Sequence, residues 1–265
     1  MKITLLTYKI LNKFNEIAHF CTTRQGGISV GNYASNNLSP FSGDNPEHFF
    51  QNQKLLSNEL GIETAQIIIP YQTHGTEIRE INADYFKLNN QQKLQYLDGV
   101  DALFTQLTDV CIGVTTADCV PLLFYDPRTR VIAAAHAGWR GTCARIAEKT
   151  IDNMVENYGC SPADILVAIG PSISAQVYEV GEEVVESFRL AGFDIPEIVT
   201  VRNNASFLDL WKANQLLLES SGVLKDNIEV TGICTYSEHN NYFSARRLGI
   251  KSGRMLSGIM LKTKL

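Results

Sequence analysis

No CxxC pair occurs in this sequence, and its six cysteines, Cys21, Cys111, Cys119, Cys143, Cys160 and Cys234, lie at irregular intervals along 265 residues. That scatter excludes the dense disulfide framework of a small secreted domain and fits a reducing compartment. No apolar run approaches the length that spans a bilayer. The opening segment is broken by Lys2, Lys9 and Lys13 and lacks the continuous apolar core and small-residue cleavage site of a secretory signal. A cytoplasmic protein is therefore expected. No block of lysine or arginine offsets the formal charge of −5, which speaks against a nucleic-acid or membrane partner. Histidine is scarce: His19, His48, His74, His136 and His239 are the whole supply, too few for several coppers held largely by imidazole. Linkers, internal repeats and low-complexity tracts are absent too. With 45% hydrophobic residues, the chain can bury one large core, so 1–265 is expected to be a single domain.

What is present centres on residues 115–141, TTADCVPLLFYDPRTRVIAAAHAGWRG. Two short apolar runs, 120–125 and 131–135, flank a polar turn containing a proline, the pattern of a hairpin of buried strands. Cys119 precedes the first strand and His136 follows the second. Adjacent strands lie about 5 Å apart, so the sulfur and the imidazole can reach a common point. After His136, a glycine-bearing turn opens what the three- and four-residue spacing of Cys143, Ile146, Ala147, Thr150, Ile151, Met154, Val155 and Tyr158 predicts to be one helix ending at Gly159. Its first turn, with Arg140 close by, is a candidate anion site.

Elsewhere the pattern predicts a strand at 17–23, then a long loop rich in Gly, Asn and Ser that holds Arg24 and Asn37, candidates for an anion or a sugar hydroxyl. A helix over 46–60 has Asn45 as cap, Pro46 in its first turn and Gly61 as stop. His48 in its first turn reads as a surface histidine. A strand at 67–69 leads to Gln72-Thr-His74-Gly75. A lone histidine after a strand is as a rule a hydrogen-bonded structural residue, and spacing alone does not bring His74 to the rim of Cys119 and His136. Further strands are predicted at 77–81, 101–105, 110–115, 165–169, 228–232 and 255–261, and helices at 182–191 and 209–221. The segment 84–98 is polar and poorly patterned. Asp98, Asp101 and Asp118 are carboxylates suited to orienting an imidazole or acting as a base. Arg246 and Arg247, placed at a strand end, could neutralise a phosphate or ribose oxygens.

The motifs Thr23-Arg-Gln-Gly-Gly27, Asn37-Leu38, Gln72-Thr-His-Gly75, Asp101-Ala-Leu103, Ala117-Asp-Cys-Val-Pro121, His136-Ala-Gly-Trp-Arg-Gly141, Gly170-Pro171, Tyr178-Glu-Val-Gly181, Phe243-Ser244, Arg246-Arg247 and Gly253-Arg254 span nearly the whole chain. Together they resemble the laccase-domain family, also called multicopper polyphenol oxidase-like or peptidoglycan editing factor proteins, which includes purine nucleoside phosphorylases. Ser172 stands where many of these proteins carry cysteine, and Ala245 where tyrosine is common. The resemblance implies an α+β fold, a layered α/β/β/α arrangement of two mixed sheets flanked by helices. It implies one zinc on His74, Cys119 and His136, with copper as an adventitious substitute. It also implies phosphorolysis of adenosine, inosine and methylthioadenosine, and deamination of adenosine. Purine nucleoside and inorganic phosphate would be the small-molecule partners; nothing in the sequence specifies an oligomeric state.

In that reading Cys119, His136 and Asp118 are the catalytic candidates, and Arg24, Asn37, Arg140, Arg246 and Arg247 the substrate-binding ones. Two imidazoles and a thiolate suit zinc, and three protein ligands leave a fourth position for a reactant. Three other readings stand beside it. Cys119 and His136 could serve as nucleophile and base of a cysteine hydrolase acting on peptidoglycan precursors. The family name suggests a copper-linked polyphenol oxidase. A zinc buried under four protein ligands would mark a non-catalytic nucleotide-binding module.

Overall fold

The computed structural model describes residues 2–263. Every residue of the strand Val120–Asp126 is buried, as happens when a strand is covered on both faces. Leu122 and Phe124 turn to one core, Leu123 and Tyr125 to another. The strand pairs antiparallel with Val131–Ala137 from Val120 opposite Ala137 to Asp126 opposite Val131. Asp126 closes the turn by accepting from the N–H groups of Arg128 (2.8 Å) and Thr129 (3.3 Å). The expected hairpin is thus present, with His136 inside its second strand.

This hairpin is the middle of a six-stranded sheet ordered Ile228–Val230, Leu166–Ile169, Val120–Asp126, Val131–Ala137, Val100–Thr105, Glu77–Glu80. The two outermost pairs are parallel and the inner ones antiparallel. A five-stranded sheet, ordered Leu5–Leu6, Ile17–Thr22, Met255–Leu261, Cys111–Thr116, Ile67–Ile68, has one parallel pair at its last edge. Between the two sheets lie Ile112, Val114, Leu123, Tyr125, Ala134 and Ile259. The outer face of the five-stranded sheet, with Phe20, Leu256 and Met260, is covered by Leu56 of the helix Pro46–Leu60. The opposite face of the six-stranded sheet is covered by Ile151 and Met154 of Ile146–Tyr158, Phe188 of Glu182–Leu190 and Leu217 of Leu210–Ser220. Helix, sheet, sheet and helix stack in the expected α/β/β/α order in one domain. Among the described residues no helix is long and apolar enough to cross a membrane.

The structure corrects the sequence expectations in four places. The single helix after His136 is two, Trp139–Cys143 and Ile146–Tyr158, separated where Arg145 takes a left-handed φ of 65° and its guanidinium bonds both Glu148 oxygens at 2.8 Å. The apolar spacing runs on across this break because Ile146 and Ala147 meet the same core that Cys143 packs against. Within 84–98 a short helix, Asn90–Tyr96, is fixed by reciprocal bonds of 3.0 Å between Asn89 and Gln92 and buries none of its residues. The strands Val199–Arg202, mostly exposed, and Ala205–Leu208 form an unforeseen hairpin whose turn, Asn203-Asn204, has both φ angles positive. Arg246 and Arg247 lie in the short helix Ala245–Leu248, not at a strand end.

Candidate metal centre and cleft

Cys119 comes one residue before the hairpin strand, and its neighbour Pro121, two residues on, pairs with His136. His74 reaches the same place from a loop in which it adopts φ 64°. The buried Asp101, in the strand Val100–Thr105 beside the hairpin, accepts from the backbone N–H groups of Thr73 (3.2 Å), His74 (3.1 Å) and Gly75 (2.7 Å), and its Oδ1 pairs with His136 Nδ1 at 2.7 Å. One carboxylate therefore fixes the backbone of one histidine and the ring of the other. Gln72 anchors the loop from the other side, donating to the Thr115 carbonyl at 2.9 Å and accepting from Thr115 N at 2.8 Å.

The outcome is a single group of three ligand atoms, from His74, Cys119 and His136, all within 4.8 Å of one another. The two imidazoles stand edge to face with centroids 4.8 Å apart. His136 is buried, Cys119 half-buried and His74 exposed. At Gly138 a Cβ would lie 3.1 Å from both Cys119 Sγ and the His74 ring, so a larger residue there would press on both side chains.

The donor set suits a borderline-soft divalent ion whose bonds run about 2.0–2.3 Å, a spacing that small side-chain adjustments close. Burial alone would raise the Cys119 thiol, but the charge and hydrogen bonding of His136 and then His74 bring it down to about 6. His136 moves the opposite way, to about 9, against its burial, because Cys119 and Asp101 hold its charged form. A sulfur that ionises this readily is in the state that binds metal. Asp101, bonded through Nδ1, leaves the other imidazole nitrogen of His136 free and would orient it toward an ion held there, as carboxylates behind metal-bound histidines do.

The three side chains line a cleft of about 630 Å³, a size that accepts a nucleoside-sized molecule. Phe41, Tyr71, Ile173, Tyr178, Ala245 and Ile250 supply its apolar surface, and Ser39, Ser42, Gln72, Asp118, Arg246 and Arg254 much of its polar one. Phe41 and Tyr71 pack edge to face at 4.9 Å.

Of the other sequence candidates, Asp118 and Arg246 reach this cleft. Asp118, at φ 93°, has both carboxylate oxygens engaged: Oδ1 by the Thr235 hydroxyl (2.7 Å), Oδ2 by the Ser244 hydroxyl (3.0 Å) and Arg246 N–H (2.7 Å). It ties the turn carrying Arg246 to the strand end carrying Cys119. The Arg246 guanidinium lies over the Tyr178 ring at 5.2 Å and donates to the Glu179 carbonyl. Arg24, Asn37, Arg140 and Arg247 are not among the lining residues. Arg24 donates to the carbonyls of Ala34 (2.9 Å) and His239 (2.8 Å) and covers the Phe243 ring. Asn37 is buried among Ser39, Ser42, Asp44 and Arg254. Arg140 is exposed over the adjacent Trp139 ring, in a helix of five residues. Arg247 donates to the Tyr236 carbonyl at 3.1 Å and covers that ring. Asp98 bridges to Tyr71 on the backbone and is not among the lining residues. Gly138, Tyr178 and Arg254 were not singled out in the sequence as site residues; the signal for Arg254 was a Gly-Arg pair placed just before a buried strand.

Residues 18–262 match the sequence model of the family described as multi-copper polyphenol oxidoreductase laccase. A purine nucleoside phosphorylase of Bacteroides thetaiotaomicron is 47% identical over 259 residues, covering 97% of this chain and 96% of that protein. Adenosine deaminase RL5, from an unknown prokaryotic organism, is 39% identical over 246 residues, covering 92% and 93%. The crystal structure of YlmD from Geobacillus stearothermophilus superposes with a TM-score of 0.86 at 32% identity, covering 95% of this chain and 94% of that one. The chain belongs to the multi-copper polyphenol oxidoreductase laccase family.

Proposed function

We propose that this chain is a zinc-dependent purine nucleoside phosphorylase, acting on adenosine, inosine and methylthioadenosine, that also deaminates adenosine in the cytoplasm. The observation that carries this reading is the convergence of two imidazoles and one sulfur at the wall of an open cleft; an ion held by three protein ligands there would keep a position for a reactant, as catalytic zinc sites do. The names of the relatives supply the substrate class. When bound, zinc supplies Lewis acidity at that wall, the chemistry that hydrolytic deamination of a purine ring needs.

The protein's own part is positioning. Asp101 keeps the His136 ring fixed through its Nδ1 proton, and Tyr178, Phe41 and Tyr71 offer flat surfaces for a purine. Phosphate, drawn into the cleft by the positive charge of the guanidinium groups in its wall, attacks the anomeric carbon as the base departs. Asp118 acts by holding the Arg246 turn in place, its oxygens being occupied.

A multicopper oxidase needs more imidazoles than this site has. His19 accepts from Tyr8 N–H, His48 sits 3.7 Å from Asp44, and His239 Nδ1 faces the Ser237 carbonyl at 3.3 Å; none of the three belongs to the group. The readily ionised Cys119 beside His136 favours, as a second reading, the cysteine hydrolase acting on peptidoglycan precursors. Metal analysis followed by product analysis with adenosine, with and without phosphate, separates the two. Adenine release that needs phosphate and stops on chelation is expected; acyl cleavage that survives chelation would establish the hydrolase instead.

A further inference from the structure

Arg254 stands one residue before the strand Met255–Leu261, and the pairing of Met255 with Thr116 sets it beside Ala117, two residues before Cys119. Its side chain lines the cleft. Part of the guanidinium is already fixed: Nη1 donates to the carbonyls of Ser252 (2.7 Å) and Gly253 (3.0 Å) and to the Ser252 hydroxyl (3.1 Å), and Nη2 to the Ile250 carbonyl (2.9 Å). Nε–H and a second Nη2 proton have no protein acceptor among the described residues. No carboxylate among them makes an ion pair with Arg254, in contrast to Arg145 with Glu148 or Arg128 with Asp164. A half-buried cation without a contact ion pair is costly to keep; burial lowers its basicity, and the charges of Cys119 and Asp118 nearby offset this only in part. The same buried amide that orders the neighbouring loop also sets this residue. Asn37 Oδ1 accepts the Arg254 N–H at 2.9 Å, while its Nδ2 donates to the Ser39 carbonyl and the Ser42 hydroxyl. Ser39 Oγ accepts from Phe41 N–H at 3.3 Å, which leaves its proton to donate into the cleft it lines.

We propose that Arg254 is the phosphate-holding residue of this cleft, gripping inorganic phosphate side-on through Nε and Nη2, with the Ser39 hydroxyl as a further donor. A guanidinium pre-fixed at one side loses little entropy on binding, and its open side matches two oxygens of a tetrahedral anion. The choice of phosphate rests on the phosphorylase reading above. It also assigns Asn37 a positioning role: it holds the arginine without touching the anion.

The test is titration of the zinc-loaded full-length protein with inorganic phosphate, followed by calorimetry or 31P line broadening, together with the KM for phosphate in nucleoside cleavage. Arg254→Gln is expected to weaken phosphate binding at least tenfold and to raise that KM alike, with kcat at saturating phosphate changing far less. Arg254→Lys should fall between the two, and the exposed Arg140→Gln should bind phosphate as the parent does. Arg254→Lys also provides the readout if the glutamine variant does not fold. Phosphate binding that is unchanged in the folded variants, or absent from the parent protein, overturns the assignment. A parent protein that binds phosphate through Arg254 yet releases no purine base keeps the assignment and ends the phosphorylase reading.

Discussion

Asp101 shows how much of the site rests on one side chain. Its carboxylate accepts three backbone N–H groups from the His74 loop and pairs with His136, and although burial opposes ionisation, these partners hold it below the usual carboxylate range. Asp101→Asn removes the charge and turns an NH2 group toward donors, so zinc affinity should fall about 10–100-fold while the fold persists. Competition with a chromogenic chelator measures this, and an unchanged affinity would show that the loop and ring hold themselves. The sequence offered Asp101 as one of three orienting carboxylates, and the family resemblance put Asp118, not Asp101, among the catalytic candidates. The ranking comes from sheet order, which places Val100–Thr105 next to the strand of His136.

At the scale of elements, the hairpin was legible because its strands are short, apolar and separated by a turn signal. That alone brought Cys119 and His136 together. His74 was not legible from spacing: it arrives by way of Ile67–Ile68, which belongs to the other sheet, and a contact between sheets leaves no periodic trace in a sequence. The break at Arg145 was hidden because one core receives both helices. The hairpin's rigidity depends on its inter-sheet face, where Leu123 is completely buried. Leu123→Ala should lower unfolding free energy by about 2–5 kcal/mol, the cost of lost burial plus an unfilled cavity. Urea denaturation reads it, and a change below about 1 kcal/mol would mean that the sheets close over the gap.

For the whole molecule, pH acts through a histidine far in role from the site. Burial, then the charge of Lys262, lower His19 from 6.5 to about 4, and Tyr8 N–H donates to its Nδ1 at 3.3 Å, a bond that only the neutral ring accepts. Between these two values the unfolded chain carries the extra proton, so stability falls as pH drops from about 6.5 to about 4 and gains nothing further from this group above 6.5. The loss is on the order of 2 kcal/mol after allowance for solvent screening. His19→Gln should flatten that part of the pH profile of the melting temperature; an unaltered profile would place the acid sensitivity elsewhere.

The layered architecture brings three side chains from distant parts of the chain to one point at a cleft wall, where the proposed function puts a single ion. Metal content per chain, measured by mass spectrometry on the parent protein and on His74→Ala, Cys119→Ser and His136→Ala after dialysis against trace zinc, tests this most directly. One zinc in the parent and a large loss in each variant is the predicted pattern. A parent protein without metal, or a His74→Ala variant that retains the full complement, would contradict it.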